Sequence, residues 1–175
     1  EIQDAMEKQM KAEPNRRDQM TPHERRLAME KGERTDRIPV IPFIGEISGR
    51  LTGTSSREYW HDAGKMVEAE IAAFNRLGHD ELSLGPNTCG ILEALGGNVV
   101  YPEEGMPYFE GRYLTDYRML DGMEPVRPEQ SKRLLFFREA LERMKRRRTE
   151  SWMWPRVSAA VYDCCQFTRR GIFSS

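Results

Sequence analysis

Along the chain, the pattern of apolar and polar positions changes abruptly at residue 20. Residues 1–19 are charged and nearly without large apolar side chains, which predicts a flexible leader or a frayed N-terminal helical extension. Thr21-Pro22-His23-Glu24 then supplies an N-cap, a proline at the first helical position and the glutamate of a capping box. Gly32 is placed to end that helix. Asp36-Arg37 leads into Ile38-Pro39-Val40-Ile41-Pro42-Phe43-Ile44, a continuous apolar run of the kind found in strands buried on both faces. Its two prolines exclude a regular central ladder and favour an edge or the end of a barrel strand. Gly45 to Gly53 reads as a loop.

Helical spacing returns beyond that loop. Ser55 or Ser56 caps a short helix through Trp60, and Asp62 caps a longer one over residues 63–77. Met66, Ala69, Ala73 and Leu77 form its apolar stripe and Gly78 its stop. Glu81-Leu82-Ser83-Leu84 is a short strand broken by Gly85-Pro86-Asn87. Residues 90–95 form a helix ended by Gly96-Gly97. Asn98 to Tyr101 is strand-like and pairs with Tyr108-Phe109. Leu114 to Leu120 is a capped turn of helix. Pro128 opens a long helix to about Arg147, with Leu134, Phe137, Leu141 and Met144 on its apolar face and Leu135 and Phe136 widening it. Strands alternating with helices predict a parallel α/β architecture.

Composition narrows the function classes. Of the 175 residues, 38% are hydrophobic and 31% charged, polar for a self-contained α/β domain, and the net charge of −1 provides no global field for nucleic acid or an acidic membrane. The basic run Lys145-Arg146-Arg147-Arg148 fits a solvated helix end, where cations suit the dipole. No apolar run approaches the ~20 residues of a membrane span, and residues 1–19 lack the apolar segment of a signal peptide. Three cysteines, two of them the adjacent Cys164-Cys165, make no disulfide framework. A reducing, cytoplasmic setting is expected.

The order and spacing of several short motifs resemble one family. Met20-Thr21-Pro22-His23-Glu24-Arg25-Arg26, Lys31-Gly32-Glu33 and Asp36-Arg37-Ile38-Pro39-Val40 look like the opening of the uroporphyrinogen decarboxylase superfamily. So do Pro42-Phe43-Ile44-Gly45, Glu58-Tyr59-Trp60 and Gly78-His79-Asp80, and most closely Gly85 to Ile91, Glu93 to Gly96 and Tyr101 to Tyr108. The resemblance spans roughly residues 20–147. It implies a TIM (β/α)8 barrel, which takes about 250 residues, so this chain corresponds to a partial barrel, the first half only.

Two positions point to a branch of that superfamily. The decarboxylases carry Arg-Gln-Ala-Gly-Arg at the end of the first barrel strand and an Asp shortly before an Ala-Leu-Gly, the arginines for substrate carboxylates and the Asp for pyrrole nitrogens. Here the first stretch is Glu46-Ile47-Ser48-Gly49-Arg50, with Glu46 at the first arginine position and Arg50 at the second, and Asn87 stands at the Asp position. A glutamate reverses the charge offered to an acidic substrate, and an asparagine supplies no anion. The pattern therefore resembles the corrinoid-dependent methyltransferase branch, similar to methylcobalamin:coenzyme M methyltransferases. That branch moves a methyl group from a methylated corrinoid protein to a thiol or tetrahydrofolate-type acceptor. It holds zinc through a His-x-Cys pair and a later Cys in the second half of the barrel, and methylcobalamin arrives on the partner protein. The zinc activates the acceptor thiol. This chain has no His-x-Cys, so no metal ligand set is expected within it and the chain alone is expected to be inactive. Decarboxylation, or a non-catalytic module that pairs with a corrinoid protein or a separately encoded C-terminal half, are the alternatives. Unpaired strand edges at the cut face would make homo-oligomers.

Five residues are candidates for the substrate mouth. Asn87 and Cys89 lie in a loop following a strand, where TIM barrels place their active sites; the bland alternatives are a turn asparagine and a small buried filler. Glu46 and Arg50 share mouth geometry or form a structural salt bridge. His79 touches a corrinoid or substrate, or serves as a structural hydrogen-bonder. Tyr108, Met66, Met106 and Met119 are expected to pack, and His23 and His61 to lie on the surface. After Arg148 the family pattern stops. A frameshift shortly before Ala160 would explain residues 149–175, leaving Trp152 to Ser175 disordered or badly packed.

Overall fold

A computed structural model describes residues 10–84, 89–111, 113–147 and 152–155. Helix α1 (Pro22–Glu30) begins with the full capping box: Thr21 Oγ1 accepts from the Glu24 amide and the Glu24 carboxylate accepts from the Thr21 amide. A 3-10 helix follows over Gly45–Leu51. Ser55 and Glu58 make a second capping box for α2 (Ser56–His61). Asp62 accepts from the amides of Gly64 and Lys65 to open α3 (Ala63–Leu77), and Gly78 closes it at φ +65°, a conformation that suits only glycine without strain. β1 (Glu81–Leu84), α4 (Gly90–Ala94), β2 (Val99–Val100) and β3 (Tyr108–Phe109) come next. A second 3-10 helix (Tyr117–Gly122), α5 (Lys132–Arg147) and β4 (Trp152–Pro155) complete the order.

β1 pairs in parallel with β4, Glu81 opposite Trp152 and Leu84 opposite Pro155, while β2 and β3 form an antiparallel pair. The parallel pair, with α5 in the crossover between its strands, is the α/β signature of the described residues; they do not close a barrel. The core lies between α2, α3, α5 and β1. Tyr59, Trp60, Met66, Ile71, Phe74, Leu82, Phe137 and Met144 are buried there. On α5 the buried positions are Arg133, Phe137, Ala140, Met144 and Arg147, a stripe of three- and four-residue steps.

Several expectations are corrected. The run Ile38 to Ile44 is not a strand: Pro39 and Pro42 withhold two donors from any ladder, and Ile38 and Phe43 are 84% and 65% exposed. It is tied to Asp80, the residue before β1, whose amide donates to the Val40 carbonyl at 2.9 Å and whose carboxylate accepts from the Val40 amide at 2.7 Å. The expected Gly45–Gly53 loop is mostly the 3-10 helix. The long helix starts at Lys132 rather than Pro128. Leu77, placed on the α3 stripe, is 60% exposed.

Residues 10–19 are not a flexible leader. The Ala12 amide donates to the Arg147 carbonyl, Ala12 is fully buried, and Asn75 clamps the segment through the Glu13 amide and the Lys11 carbonyl. These anchors are polar, and composition alone does not reveal them. Residues 152–155 are likewise a paired strand, not disordered chain. Residues 1–9, and the remainder of the tail where the frameshift was expected, lie outside the described residues.

Candidate functional site

The motifs that carry the family resemblance converge first on a buried ion network. Arg25, fully buried on α1, grips Asp36 with Nε and Nη2 at 2.7 and 2.9 Å. Its Nη2 also reaches Asp18 at 3.0 Å, and its Nη1 donates to Asp80. Arg37 donates to Asp18 at 2.6 Å and to both oxygens of Asp80 at 2.6 and 2.9 Å. Two guanidiniums and three carboxylates thus tie the N-terminal segment, α1 and the approach to β1 together. The Arg25 and Arg37 hydrogen bonds hold Asp36 and Asp18 below the usual carboxylate range. This cluster is scaffolding; every charge in it faces another.

Glu46 and Arg50, two of the candidates, lie on the 3-10 helix Gly45–Leu51. The 3-10 helix packs on α3 and α2, with Ser48 and Gly49 buried beneath it. Glu46 is half-buried, and burial raises its carboxyl above the ordinary value. Arg50 is exposed on the same element. Three residues per turn put positions four apart on different faces, and among the described residues the Glu46–Arg50 salt bridge does not form. Below Glu46 lies Glu70 of α3, 4% exposed, with the Tyr59 hydroxyl 2.5 Å and the Ser48 hydroxyl 3.2 Å from its Oε1. Desolvation is the main cause that pushes Glu70 up to about 7, with the charge of Glu46 adding to it.

The other candidates are not brought to this turn. His79 is 4% exposed with its ring edge-on to Phe74 at 5.1 Å, and burial lowers its pKa. A side chain this enclosed offers no surface to a corrinoid, and the structural role fits its placement. Cys89 is buried at the start of α4, its Sγ 3.7 Å from the Pro107 carbonyl. Asn87 lies outside the described residues. Met66 packs in the core as expected, but Met106, Tyr108 and Met119 are 55%, 49% and 43% exposed and do not.

Tyr59, Ser48 and Glu70 are the members that sequence reasoning missed. A signal existed for Glu70: it sits four residues after Met66, squarely on the apolar stripe of α3, where an ionisable residue is out of place.

A model of the family described as Uroporphyrinogen decarboxylase (URO-D) matches residues 21–153, well over half of the chain. The chain belongs to the uroporphyrinogen decarboxylase family. No curated protein and no solved structure matches it. The family match runs through the first two residues of β4, beyond the limit near residue 147 drawn from the motifs alone. Among the described residues, no group of three His, Cys, Asp or Glu side chains is arranged to hold a metal ion. No helix among them is long and apolar enough to cross a membrane.

Proposed function

We propose that this chain is the mouth-bearing N-terminal half of a corrinoid-dependent methyltransferase of the uroporphyrinogen decarboxylase family. The complete enzyme would move a methyl group from a methylated corrinoid protein to a thiol or folate-type acceptor. One observation carries the reading. At the position where the decarboxylases present an arginine to a polycarboxylate, this chain presents a half-buried glutamate, Glu46. A glutamate in place of that arginine removes the counter-charge of a polyanion and, when ionised, repels it, at a cost on the order of a kcal/mol or more when water is excluded. A neutral or proton-releasing acceptor suffers no such penalty. The half-barrel reading further implies that the activating metal sits on segments that this chain lacks.

Arg50 favours the second reading, uroporphyrinogen decarboxylation. It matches the second arginine of the decarboxylase pattern and is exposed on the 3-10 helix, and the family match fits either branch.

Charge reversal separates the two. In a porphyrin fluorescence titration, Glu46→Arg should bind uroporphyrin at least about tenfold more tightly than the parent chain, equivalent to about 1.4 kcal/mol. Equal, tight binding by both proteins would favour the decarboxylase.

A further inference from the structure

Glu70 is the sole ionisable side chain among the buried residues of α3, and the hydrogens around it do not balance if it is a carboxylate. Tyr59 donates its phenol hydrogen to Oε1 at 2.5 Å. Ser48 Oγ faces the same oxygen at 3.2 Å, yet also lies 2.7 Å from the carbonyl of Gly45. A serine hydroxyl has one hydrogen. The carbonyl can only accept, and its contact is the shorter, so the Ser48 hydrogen points there. That leaves a Ser48 lone pair aimed at Oε1, a repulsive contact unless the carboxyl itself carries a hydrogen.

We infer that Glu70 is held as a neutral carboxylic acid and acts as a positioning residue for the 3-10 turn, through one directed chain: Tyr59 O–H to Glu70 Oε1, Glu70 O–H to Ser48 Oγ, Ser48 O–H to the Gly45 carbonyl. The inference goes beyond the methyl-transfer reading and holds whichever substrate the mouth accepts. Gly45 opens the 3-10 helix at φ +59°, and the grip of Ser48 on its carbonyl holds the turn that presents Glu46. Tyr59 and Ser48 are 2% and 1% exposed, so water does not stand in for a missing donor.

The surroundings of Glu70 agree with the neutral form. Burial of Glu70 disfavours its anion, and the titratable groups acting on it are Tyr59 from α2 and Glu46 from the 3-10 helix, neither a cation. Among the described residues α5 and β1, also packed on α3, contribute no charged group that acts on it. The sign of the pH dependence follows. Its folded pKa lies above the usual carboxylate value, so the stability it confers is present on the acid side and declines as pH rises through about 7. Above that, the Ser48 hydrogen is drawn to the new anion and the Gly45 carbonyl loses its donor.

The test uses the full chain with Glu70→Gln and Glu70→Leu. Both contacts fall on Oε1, a position that glutamine fills with either its oxygen or its nitrogen, so glutamine keeps one of the two bonds and has no proton to lose; leucine keeps neither. Infrared spectra of the parent chain should show a protonated-carboxyl band at about pH 6 that fades by about pH 8.5 and is missing from Glu70→Gln. The Tm of the parent should fall over that interval, while that of Glu70→Gln stays level. Glu70→Leu should melt lower throughout. The inference is overturned if the parent lacks the band at about pH 6, or if the Tm of Glu70→Gln falls over that interval as steeply as that of the parent.

Discussion

Replacing Arg25 by alanine is expected to cost about 3–5 kcal/mol, the range for removing one partner from a buried charge cluster. Arg25 is fully buried, and its guanidinium meets Asp18, Asp36 and Asp80, with the Met20 carbonyl completing its donors. Without it, three carboxylates face the single guanidinium of Arg37, which is 29% exposed and already engaged with Asp18 and Asp80. For a chain of this length the loss corresponds to a fall in Tm on the order of 10 °C. Urea denaturation measures it. The pH profile adds a second signature. Asp18 and Asp36 titrate below their usual range, so their contribution is present above the ordinary carboxylate pKa and lost as pH falls through the depressed values. The alanine variant should lose much of that stabilisation, and with it the fall in stability on acidification. A cost under about 1 kcal/mol would mean that water reaches the cluster and screens it.

Phe74→Ala is expected to destabilise by about 3–5 kcal/mol through a different cause, a cavity in the core. Phe74 is fully buried on α3 and braces the ring of His79. Losing that ring opens space next to a histidine whose Nδ1 has no hydrogen-bond partner, so water entering the cavity would raise the His79 pKa toward its usual value. Leu77→Ala, one turn further along the same helix, is the control: with Leu77 60% exposed it should change stability by no more than about 0.5 kcal/mol. Equal effects at the two positions would mean that the α3 face is assigned wrongly.

The elements legible in the sequence were those with local causes. Thr21, Ser55 and Asp62 cap the helices they were expected to cap, because a cap is decided within four residues. Contacts across long separations were not legible. Arg25 and Asp80 are 55 positions apart, so Asp36-Arg37 and His79-Asp80 stood out as family motifs while their joint role as an ion network stayed hidden. The apolar run from Ile38 to Ile44 looked like a buried strand because hydrophobicity does not say whether a partner exists. Residues 10–19 read as a leader in the sequence because hydrogen bonds, not large apolar side chains, hold them. Within the candidate site Glu46 was found by comparing charges at one motif position. Glu70 was missed because the α3 stripe was read only for the apolar residues in it.

On the proposed methyl-transfer reading, this half would shape a mouth that disfavours polyanions, and the activating metal would come with the other half. The most direct measurement is to co-express the chain with a zinc-bearing C-terminal half-barrel of a methyltransferase relative and follow methylcobalamin absorbance in the presence of a thiol. The account predicts no demethylation by either half alone and turnover by the complex. Demethylation by this chain alone, or a complex that decarboxylates uroporphyrinogen and leaves methylcobalamin untouched, would contradict it.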